Sequence, residues 1–255
     1  MEEKTRNQRY RHLLWGAYEG TTEPLLENAV EGGRDPYWTN VVLLMDFEGT
    51  PGGTDADDLS DNAADATFNE NVVLATAAAK FGSTGLDCDL AGHVGIPNNA
   101  DFIPDTSYTG EAWIYLRDTG SVQAIMGNRT GGAQHGWLFY FDATNKLTFV
   151  GWGSGDATQK VLAIGDTALS TGQWYHVAFT RTAAGVLNLW VNGVLDGTDT
   201  ETANMTNTAN EFQIGQDITT SANDFLGYID EIRLTRGVVR YTDTFTPPTG
   251  AFRQQ

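Results

Sequence analysis

The pattern of apolar and polar positions is clearest in the stretch Phe225 to Arg236, which reads Phe-Leu-Gly-Tyr-Ile-Asp-Glu-Ile-Arg-Leu-Thr-Arg. Period-two alternation predicts a strand in which Asp230, Ile232 and Leu234 share one face. That face is the apolar one, so the prediction places the carboxyl of Asp230 on the buried side. A buried carboxylate is costly unless it is hydrogen-bonded, paired with a cation or bound to a metal. The partner of Asp230 is therefore the first question that the sequence raises.

Further short apolar or alternating stretches predict more strands, with turns about every ten residues. These stretches are 41–47, 72–75, 86–90, 93–96, 111–117, 137–141, 146–152, 173–181, 187–191 and 212–215. Asn192-Gly193 is the strongest short-range hairpin signal, because both turn residues must adopt positive φ. This pattern predicts an all-β fold, an antiparallel β-sandwich or jelly roll, over residues 36–255.

Residues 1–35 differ from this body. They hold 5 of the 15 lysines and arginines, and no acid lies between Lys4 and His12. The segment has too little apolar material to fold alone, so we interpret it as an extended arm that either packs on the body or docks on a partner. Docking is the preferred interpretation, since chain termini are loose unless they are tied down. The residues predicted to contact a partner are Arg6, Arg9, Tyr10, Arg11, Leu14 and Trp15.

Composition and charge exclude several function classes. The formal net charge of the 255 residues is -18, so the chain would repel the phosphates of DNA or RNA, and nucleic acid is not an expected partner. No stretch approaches the roughly 20 apolar residues of a membrane span. The N-terminus lacks the apolar core of a signal peptide, which predicts synthesis that ends in the cytoplasm. The single cysteine, Cys88, allows no disulfide within the chain and is interpreted as a small buried apolar group.

Four segments of the body form a recognisable series. They are Lys80-Phe-Gly with Gly92-His-Val-Gly-Ile-Pro97, then Glu111-Ala-Trp-Ile, then Trp174-Tyr-His-Val-Ala-Phe-Thr-Arg with Leu189-Trp-Val-Asn-Gly193, and last Gly227-Tyr-Ile-Asp-Glu-Ile-Arg233. Together they resemble the LamG-like jelly roll of the concanavalin A-like lectin/glucanase superfamily, over about residues 38–246. The borders, Asp35-Pro-Tyr-Trp-Thr-Asn-Val-Val-Leu-Leu-Met-Asp and Arg240-Tyr-Thr-Asp-Thr-Phe-Thr-Pro-Pro-Thr-Gly, are similar to those of this domain in bacteriophage virion proteins. The resemblance implies a particle component, either a head decoration protein or a tail-fibre module.

The resemblance also implies two aligned antiparallel sheets, with glycan sites on the concave sheet of lectin members and one structural calcium ion on the convex side. In relatives, that ion takes an Asp on the last long strand and backbone oxygens from near the N-terminal strand and the Phe-Gly turn. Asp230 matches the Asp, and Asp46 and the carbonyl of Gly82 are candidates for the other ligands. Calcium accepts mixed carboxylate and carbonyl oxygens. The alternatives are that backbone N–H groups donate to Asp230 or that an arginine pairs with it.

Catalysis finds little support in the residues. Glycosidases of the superfamily carry a Glu-x-Asp-x-Glu run, whose alternation puts two or three carboxyls on one strand face. The chain has no such run, and Asp230 and Glu231 point to opposite faces of a strand. The four histidines lack the spacing of a zinc site or a catalytic triad. We therefore expect no enzymatic activity.

Carbohydrate binding is the second functional hypothesis. Exposed aromatic rings stack on the apolar faces of sugars, while amides satisfy sugar hydroxyls. The candidates are Trp152, Trp190, Asn188 and Asn192. Trp190 lies opposite the apolar residues of its strand, which directs its ring toward a groove or solvent. The alternative is that both rings fill the sandwich core or a subunit interface.

The sequence thus predicts a non-enzymatic bacteriophage virion protein, a capsid decoration or fibre component whose arm, residues 1–35, anchors it to other virion proteins or to copies of itself. A homo-oligomer is expected, located in the virion after synthesis in the host cytoplasm. One alternative is a carbohydrate-binding adhesin module of a tail fibre, which attaches the particle to host polysaccharide. The other is a glycanase, which the residues favour least. The first two functions are compatible.

Overall fold

The computed structural model describes residues 34–88, 91–129, 135–152, 159–206, 209–217, 219 and 223–252, without the side chains of residues 159 and 160. Within these ranges, fifteen strands and three single-turn 3₁₀ helices follow one another. The strands are β1 (Val41–Met45), β2 (Thr67–Glu70), β3 (Val73–Ala75), β4 (Gly85–Asp87), β5 (Gly92–Ile96), β6 (Tyr108–Leu116), β7 (Gln123–Gly127), β8 (Gly136–Phe141), β9 (Lys146–Trp152), β10 (Gln159–Ala168), β11 (Trp174–Arg181), β12 (Val186–Val191), β13 (Val194–Thr200), β14 (Phe212–Ile214) and β15 (Gly227–Arg236). The 3₁₀ helices are Trp38–Asn40, Thr76–Ala78 and Ala100–Phe102. None of the helices in these ranges is long and apolar enough to cross a membrane.

The strands form two antiparallel sheets. The eight-stranded sheet has the order β13-β12-β11-β6-β15-β4-β3, and β1 pairs with β15. The seven-stranded sheet has the order β10-β9-β8-β7-β14-β5-β2. This all-β sandwich confirms the fold class that alternation predicts. Strands β2, β7, β10 and β13 lie outside the predicted set, because polar residues and glycine weaken their alternation.

The core lies between the two sheets and is built by alternate residues of the longer strands. Trp137, Phe149 and Phe179 meet within it, with ring centroids 4.7 to 5.6 Å apart. Burial of such rings supplies the main favourable term in folding. The Nε1–H of Trp137 donates to the carbonyl of Phe102 at 2.7 Å, so this buried indole leaves no polar atom unsatisfied. Cys88 is also fully buried, as predicted.

Strand β15 departs from simple alternation at its middle. Glu231 has a φ of 54°, and the pairing with β6 shifts register just after Asp230. This bulge puts one extra residue on β15. Ile229 and Ile232 therefore both face the core, whereas Asp230 lies opposite Trp113 on the outer face. The prediction that Asp230 shares the core face with Ile232 is wrong for this reason.

The Asn192-Gly193 turn joins β12 to β13, as predicted, with φ values of 49° and 80°. A Cβ on Gly193 would lie 1.8 Å from the carbonyl oxygen of Phe245. The N–H of Phe245 also donates to the Gly193 carbonyl at 3.0 Å. Glycine is therefore required here both by the backbone conformation and by the close approach of the C-terminal segment.

The C-terminal segment, residues 237–252, covers part of the outer face of the eight-stranded sheet. Tyr241 and Phe245 stack with centroids 3.6 Å apart, and Phe245 packs edge-on against Trp190 at 5.8 Å. Trp113 is buried farther along the same face, in one apolar cluster with Trp38 and Phe252. This part of the outer face is thus a second, smaller core.

Buried charges connect the two ends of the body beneath this segment. The carboxylate of Glu111 accepts a hydrogen bond from Arg233 Nε at 2.9 Å and one from the Tyr241 hydroxyl at 2.6 Å. Arg233 and Arg240 both also donate to the carboxylate of Asp35, at 3.0 and 2.7 Å. The first residues of the body are in this way tied to its last long strand and to the segment that follows it.

The electrostatics of this cluster favour the ionised carboxylate. Burial alone would raise the pKa of Glu111, but the charge of Arg233 and the contact with His176, whose Nε2 lies 3.0 Å from the carboxylate, hold it well below its usual value. Removing one partner from a buried ion pair typically costs about 3–5 kcal/mol. The cluster therefore fastens the terminal segments to the sheet, and His176 is a structural histidine.

Candidate functional site

The outer face of the seven-stranded sheet carries a band of apolar and aromatic side chains. Alternation along β8 and β9 sends one set of side chains into the core and leaves Leu138, Tyr140, Val150 and Trp152 on the outer side. Leu138 and Val150 are direct cross-strand partners. The band ends at Trp152, the last residue of β9.

Polar side chains converge on Trp152 at this end of the band. The guanidinium of Arg129 lies 5.5 Å from the centre of the Trp152 ring. Arg129 Nε donates to Asp217 at 2.8 Å, a second bond from Nη2 makes this pair bidentate, and Nη2 also donates to Thr219 Oγ1 at 2.7 Å. The Asp217 side chain is fully buried and also accepts a bond from Asn223 at 3.1 Å. Such a shielded, bidentate pair holds Arg129 in one place over Trp152.

Three buried polar atoms on the same face have no hydrogen-bond partner among the described residues. They are Trp152 Nε1, Gln213 Oε1 and His93 Nδ1. Gln213 stands between the core residues Phe212 and Ile214, so alternation turns it outward. Buried polar atoms are normally satisfied by protein or water, and an exception points to an unseen water, ion or ligand. Hydrogen-bonding groups beside an aromatic surface suit a ligand rich in hydroxyls.

Neighbouring contacts fix these side chains in place. Gln213 Nε2 donates to Glu211 Oε1 at 2.8 Å and lies 3.0 Å from His93 Nε2, which is itself 3.1 Å from Glu211. The amide nitrogen of Gln213 is thus committed to protein contacts, whereas its buried carbonyl oxygen has no partner among the described residues.

The four residues predicted to bind glycan do not come together. Trp152 lies on the seven-stranded sheet, Trp190 and Asn188 lie on β12 of the eight-stranded sheet, and Asn192 lies in the following turn. Neither indole ring is open to solvent: Trp152 is 5% exposed and Trp190 is 2% exposed. The expectation of exposed rings is therefore wrong, and the interior alternative describes Trp190.

Trp190 is enclosed by the C-terminal segment, whose path the strand pattern does not show. Phe245 covers its ring, and its Nε1–H donates to Thr180 Oγ1 at 3.0 Å. The two amides near it also have partners, since Asn188 Oδ1 accepts from Thr198 and Asn192 Oδ1 accepts from a backbone N–H of β11. These residues serve the fold.

Asp230 has backbone partners, which is one of the alternatives that the sequence leaves open. Its Oδ2 accepts from the N–H groups of Lys80 at 2.8 Å and Phe81 at 3.1 Å, and its Oδ1 accepts from that of Glu231 at 2.9 Å. In the part of the chain that the structure describes, no group of three or more His, Cys, Asp or Glu side chains is placed to hold a metal ion. Asp230 is therefore not part of a cluster of carboxylates that could hold a metal ion by itself.

The loop that binds Asp230 also binds Glu48. The N–H of Ser83 donates to the Glu48 carboxylate at 2.9 Å, and a Cβ on Gly82 would lie 1.8 Å from the same group. Asp46 in turn accepts the N–H of Glu48 at 3.2 Å. The three predicted metal ligands thus lie around one loop, and carboxylate and carbonyl oxygens are the kind of ligand that calcium accepts. An ion here would need a mixed set of oxygens from Asp46, Gly82 and Asp230.

The acids around this loop are poorly compensated. Burial raises the pKa of Asp230 to about 7 despite its backbone hydrogen bonds, and Glu48 adds to the rise. Burial also raises the pKa of Glu231 to about 8, to which Asp230 and Asp46 contribute, although the N–H of Phe252 donates to Glu231 at 2.6 Å. The neighbourhood therefore favours the uptake of a proton or a cation.

The residues predicted to contact a partner lie outside the described residues, as does the arm as far as residue 33. They are Arg6, Arg9, Tyr10, Arg11, Leu14 and Trp15. Their role stays a prediction. Asp35, at the end of the proposed arm, belongs structurally to the body through its bonds to Arg233 and Arg240.

Arg129, Asp217 and Gln213 were missed by reasoning from the sequence. Gln213 carries a visible signal, since it is the polar residue between two apolar residues of a strand. Asp217 is of a residue type that is favoured in turns. Its carboxylate accepts the N–H of Thr219 at 3.1 Å. Nothing along the chain indicates its partner, because Arg129 lies 88 residues earlier.

Known proteins share the fold. A family model, Laminin_G_3 of the concanavalin A-like lectin/glucanases superfamily, matches residues 89–240. Among solved structures, the binding domain of Paraclostridial Mosquitocidal Protein 1 is 15% identical with a TM-score of 0.62, and the match covers 80% of this chain and 50% of that chain. The botulinum neurotoxin serotype D binding domain is 14% identical with a TM-score of 0.59, over 79% and 49% of the two chains.

A further match is the botulinum neurotoxin serotype D ligand binding domain in complex with N-acetylneuraminic acid, 13% identical with a TM-score of 0.58, over 80% of this chain and 49% of that chain. The chain thus spans about half the length of the solved structures it matches. At these identities the likeness shows the fold alone. No curated protein matches the chain.

Proposed function

Because the chain belongs to the concanavalin A-like lectin/glucanase superfamily, we propose that it is a non-enzymatic glycan-binding module. The observation that carries the proposal is the outer face of the seven-stranded sheet. There Arg129 is held over Trp152, on a face with three buried polar atoms that lack partners among the described residues. A sugar offers the hydroxyls that such atoms require.

The solved structures support sugars as the first ligand class to test. One of them is a ligand binding domain in complex with N-acetylneuraminic acid, and that complex is a property of that protein. The likeness to this chain is one of fold, so the sugar itself has to be identified by experiment.

The carboxylates on this face support binding rather than hydrolysis. Glycoside hydrolysis needs one carboxyl that donates a proton and a second that stays ionised as base or nucleophile. Asp217 accepts bonds from Arg129, Thr219 and Asn223. Asp217 is therefore engaged in holding Arg129 in place.

A matched pair of variants tests this function. Trp152→Phe and Trp190→Phe each keep an aromatic ring and remove an indole N–H, but only Trp152 lies on the proposed face. On a glycan array, the wild type is expected to bind at least one class of glycan. Trp152→Phe is expected to bind that glycan roughly tenfold more weakly, because a hydrogen bond is lost in a buried setting. Trp190→Phe is expected to bind like the wild type.

Two outcomes would count against the proposal. If the folded wild type binds no glycan on the array, the chain is not a glycan-binding module. If both tryptophan variants lose binding equally, the loss follows from the fold and the proposed face is not the site.

We further propose that the protein is a bacteriophage virion component, a capsid decoration or fibre protein made in the host cytoplasm and assembled as a homo-oligomer. The borders near residues 35–46 and 240–250, which are similar to those of virion proteins, support this, as does the contrast between a basic arm tip and an acidic body. Deletion of residues 1–33, which keeps Asp35 and its ion pairs, is expected to leave the melting temperature unchanged and to abolish incorporation into particles. Normal incorporation of the truncated protein would contradict the anchoring role.

We also propose one structural calcium ion, held by Asp230, Asp46 and the carbonyl of Gly82. A carboxylate offers about four lone-pair sites, and the three backbone N–H groups that donate to Asp230 leave one of these for a cation. The shortage of compensating charge around Asp230 and Glu231 supports a cation at this place.

A further inference from the structure

A row of aromatic side chains crosses the outer face of the eight-stranded sheet, next to the part that the C-terminal segment covers. Trp174 on β11 pairs with Tyr115 on β6, and Tyr115 pairs with Tyr228 on β15. The next strand, β4, continues the row with Asp87. Directly opposed residues on neighbouring strands have adjacent side chains. We call Trp174, Tyr115 and Tyr228 the aromatic row.

The aromatic row is partly exposed, unlike its neighbours on the same face. Trp113, one row nearer to the C-terminal segment, is only 7% exposed, whereas all three rings of the row keep intermediate exposure. A shallow groove of about 280 Å³ lies at the row. It is lined by Tyr115, Leu116, Arg117, Thr171, Gly172 and Tyr228. Clustered aromatic side chains left in contact with water often mark a binding site.

The spacing of the rings suits consecutive sugars. The ring centroids of Tyr115 and Trp174 are 5.7 Å apart, and those of Tyr115 and Tyr228 are 5.5 Å apart. This step is set by the strand spacing of about 4.8 Å, and it is close to the length of one pyranose unit in an extended glycan. The two tyrosine rings are inclined by only 32° and form a shallow platform, while Trp174 stands at 64° to Tyr115 as a wall.

Polar groups flank the platform. Arg117 is exposed, its Nη1 donates to the Tyr228 hydroxyl at 3.2 Å, and its guanidinium lies 5.4 Å from the Tyr228 ring. Gln173 is exposed beside Trp174, and Asp87 follows Tyr228 along the row. Donors and acceptors therefore stand on both sides of the rings, as the hydroxyls of a bound sugar require.

The size of the surface favours a glycan over a protein partner. A stable protein interface takes about 800 Å² from each partner. The aromatic row offers three half-buried rings and a shallow groove, which is far less than such an interface needs. A chain of two or three sugars matches the row in its spacing, since neighbouring ring centroids are 5.7 and 5.5 Å apart.

We propose that the aromatic row, with Arg117, binds an extended glycan that lies across strands β11, β6 and β15. This inference rests on the proposed glycan-binding function but goes beyond it, since it adds a second sugar surface on the opposite sheet. Two surfaces on opposite faces let one module hold two stretches of polysaccharide, or two neighbouring chains, at once, which increases avidity.

Calorimetric titration of the full chain tests the aromatic row. Two neutral probes are a β-1,4-linked glucose hexamer and a β-1,4-linked N-acetylglucosamine hexamer. The acidic probe is an α-2,8-linked N-acetylneuraminic acid oligomer. The wild type is expected to bind at least one probe. Tyr228→Ala and Tyr115→Ala are each expected to bind it roughly tenfold more weakly or worse, the effect typical of truncating an aromatic anchor. Val194→Ala truncates an exposed apolar side chain on β13 of the same sheet, outside the row, and is the control, expected to bind like the wild type.

Arg117→Ala distinguishes an acidic glycan from a neutral glycan as the ligand. A selective loss of the acidic probe identifies a carboxylate-bearing glycan, and an equal, small loss on a neutral probe identifies a neutral glycan. Melting temperatures close to that of the wild type are required of every variant. The proposal is overturned if the wild type binds no probe, if the alanine variants bind like the wild type, or if the rings support only association of the protein with itself.

Different results would contradict each of the two proposed sugar surfaces. If Trp152→Phe weakens binding and Tyr228→Ala does not, the proposed function stands and the aromatic row is not a site. If the reverse holds, the aromatic row is the sugar site and the location given in the proposed function is wrong. If neither variant weakens the binding of any probe, both locations are wrong.

Discussion

The outer face of the eight-stranded sheet gives the same kind of side chain two different environments. Trp190 and Trp113 lie beneath the terminal segments and are 2% and 7% exposed. Trp174 and Tyr228 stand on strands of the same sheet and remain partly open to water. Alternation along the strands places all four on one face, so the difference comes from what covers each ring, which is Phe245 for Trp190 and Phe81 with Phe252 for Trp113. A ring on this face is therefore part of a core or part of a surface according to residues far away in sequence.

The two regions also differ in their electrostatics. The covered region encloses the ion cluster of Glu111, Arg233, Arg240 and Asp35, in which every charge has an opposite partner. In the open region, the exposed guanidinium of Arg117 lies against the ring of Tyr228. Substitutions in the covered region are expected to affect stability, and those in the open region are expected to affect binding.

The largest expected effect comes from breaking the ion cluster. Glu111→Ala leaves Arg233 buried beside a missing carboxylate and is expected to lower the free energy of unfolding by about 3–5 kcal/mol. Denaturant titration measures this change. Arg117→Ala in the open region, where this side chain is exposed, is the control, expected within about 0.5 kcal/mol of the wild type. Comparable losses for the two variants would remove the distinction between the regions.

Calcium is expected to have the next largest effect, at the border between the regions, where Asp230 lies opposite Trp113. An ion present at a hundredfold excess over its Kd stabilises the folded state by about 2.7 kcal/mol. A chelator is therefore expected to lower the melting temperature of the wild type by several degrees, whereas Asp230→Ala is expected to show no such response. A wild type that ignores the chelator would show that the three backbone N–H groups alone hold Asp230.

Opening the covered region is expected to cost somewhat less. Phe245→Ala removes the ring that covers Trp190 and stacks on Tyr241, and a partly buried ring of this size is worth about 2 kcal/mol. The same variant is expected to make Trp190 accessible, which acrylamide quenching of tryptophan fluorescence measures. An unchanged quenching constant would mean that the segment does not control the exposure of Trp190.

The last expected effect on stability is a pH dependence set by Asp230 and Glu231. Burial raises their folded-state pKa values to about 7 and about 8, while in the unfolded chain such groups titrate near 4. Between these values the folded state binds more protons than the unfolded state, so stability falls as the pH rises. With chelator present, the melting temperature at about pH 5.5 is expected to exceed that at about pH 8.5.

Glu231→Gln tests the origin of that slope. Glutamine keeps an oxygen for the N–H of Phe252 but cannot ionise, so about half of the pH dependence is expected to disappear. Glu111 has the opposite sign, since its lowered pKa adds stability that is lost only as the pH falls below about 4.5. An unchanged slope in Glu231→Gln would assign the pH dependence to other groups.

Alternation predicted much of the fold and little of the candidate site. It predicted a strand over residues 111–117, most of which lies in β6. It failed at Asp230, because the bulge rests on a positive φ at Glu231, a residue type that gives no local signal of that conformation.

Contacts between distant parts of the chain account for the other failures. The exposure predicted for Trp190 failed because the path of Phe245 depends on tertiary packing. The pairing of Arg129 with Asp217 was invisible for the same reason, since a side-chain pair between loops leaves no periodic pattern.

The attachment of Asp35 has a mechanical consequence. Any tension on the chain before this residue passes first into the paired side chains of Arg233 and Arg240, and then into β1, which is hydrogen-bonded along β15. Strand β15 lies inside the eight-stranded sheet, with neighbours on both sides. Tension on the chain before Asp35 is therefore shared by the ion pairs of Asp35 and by the hydrogen bonds between β1 and β15.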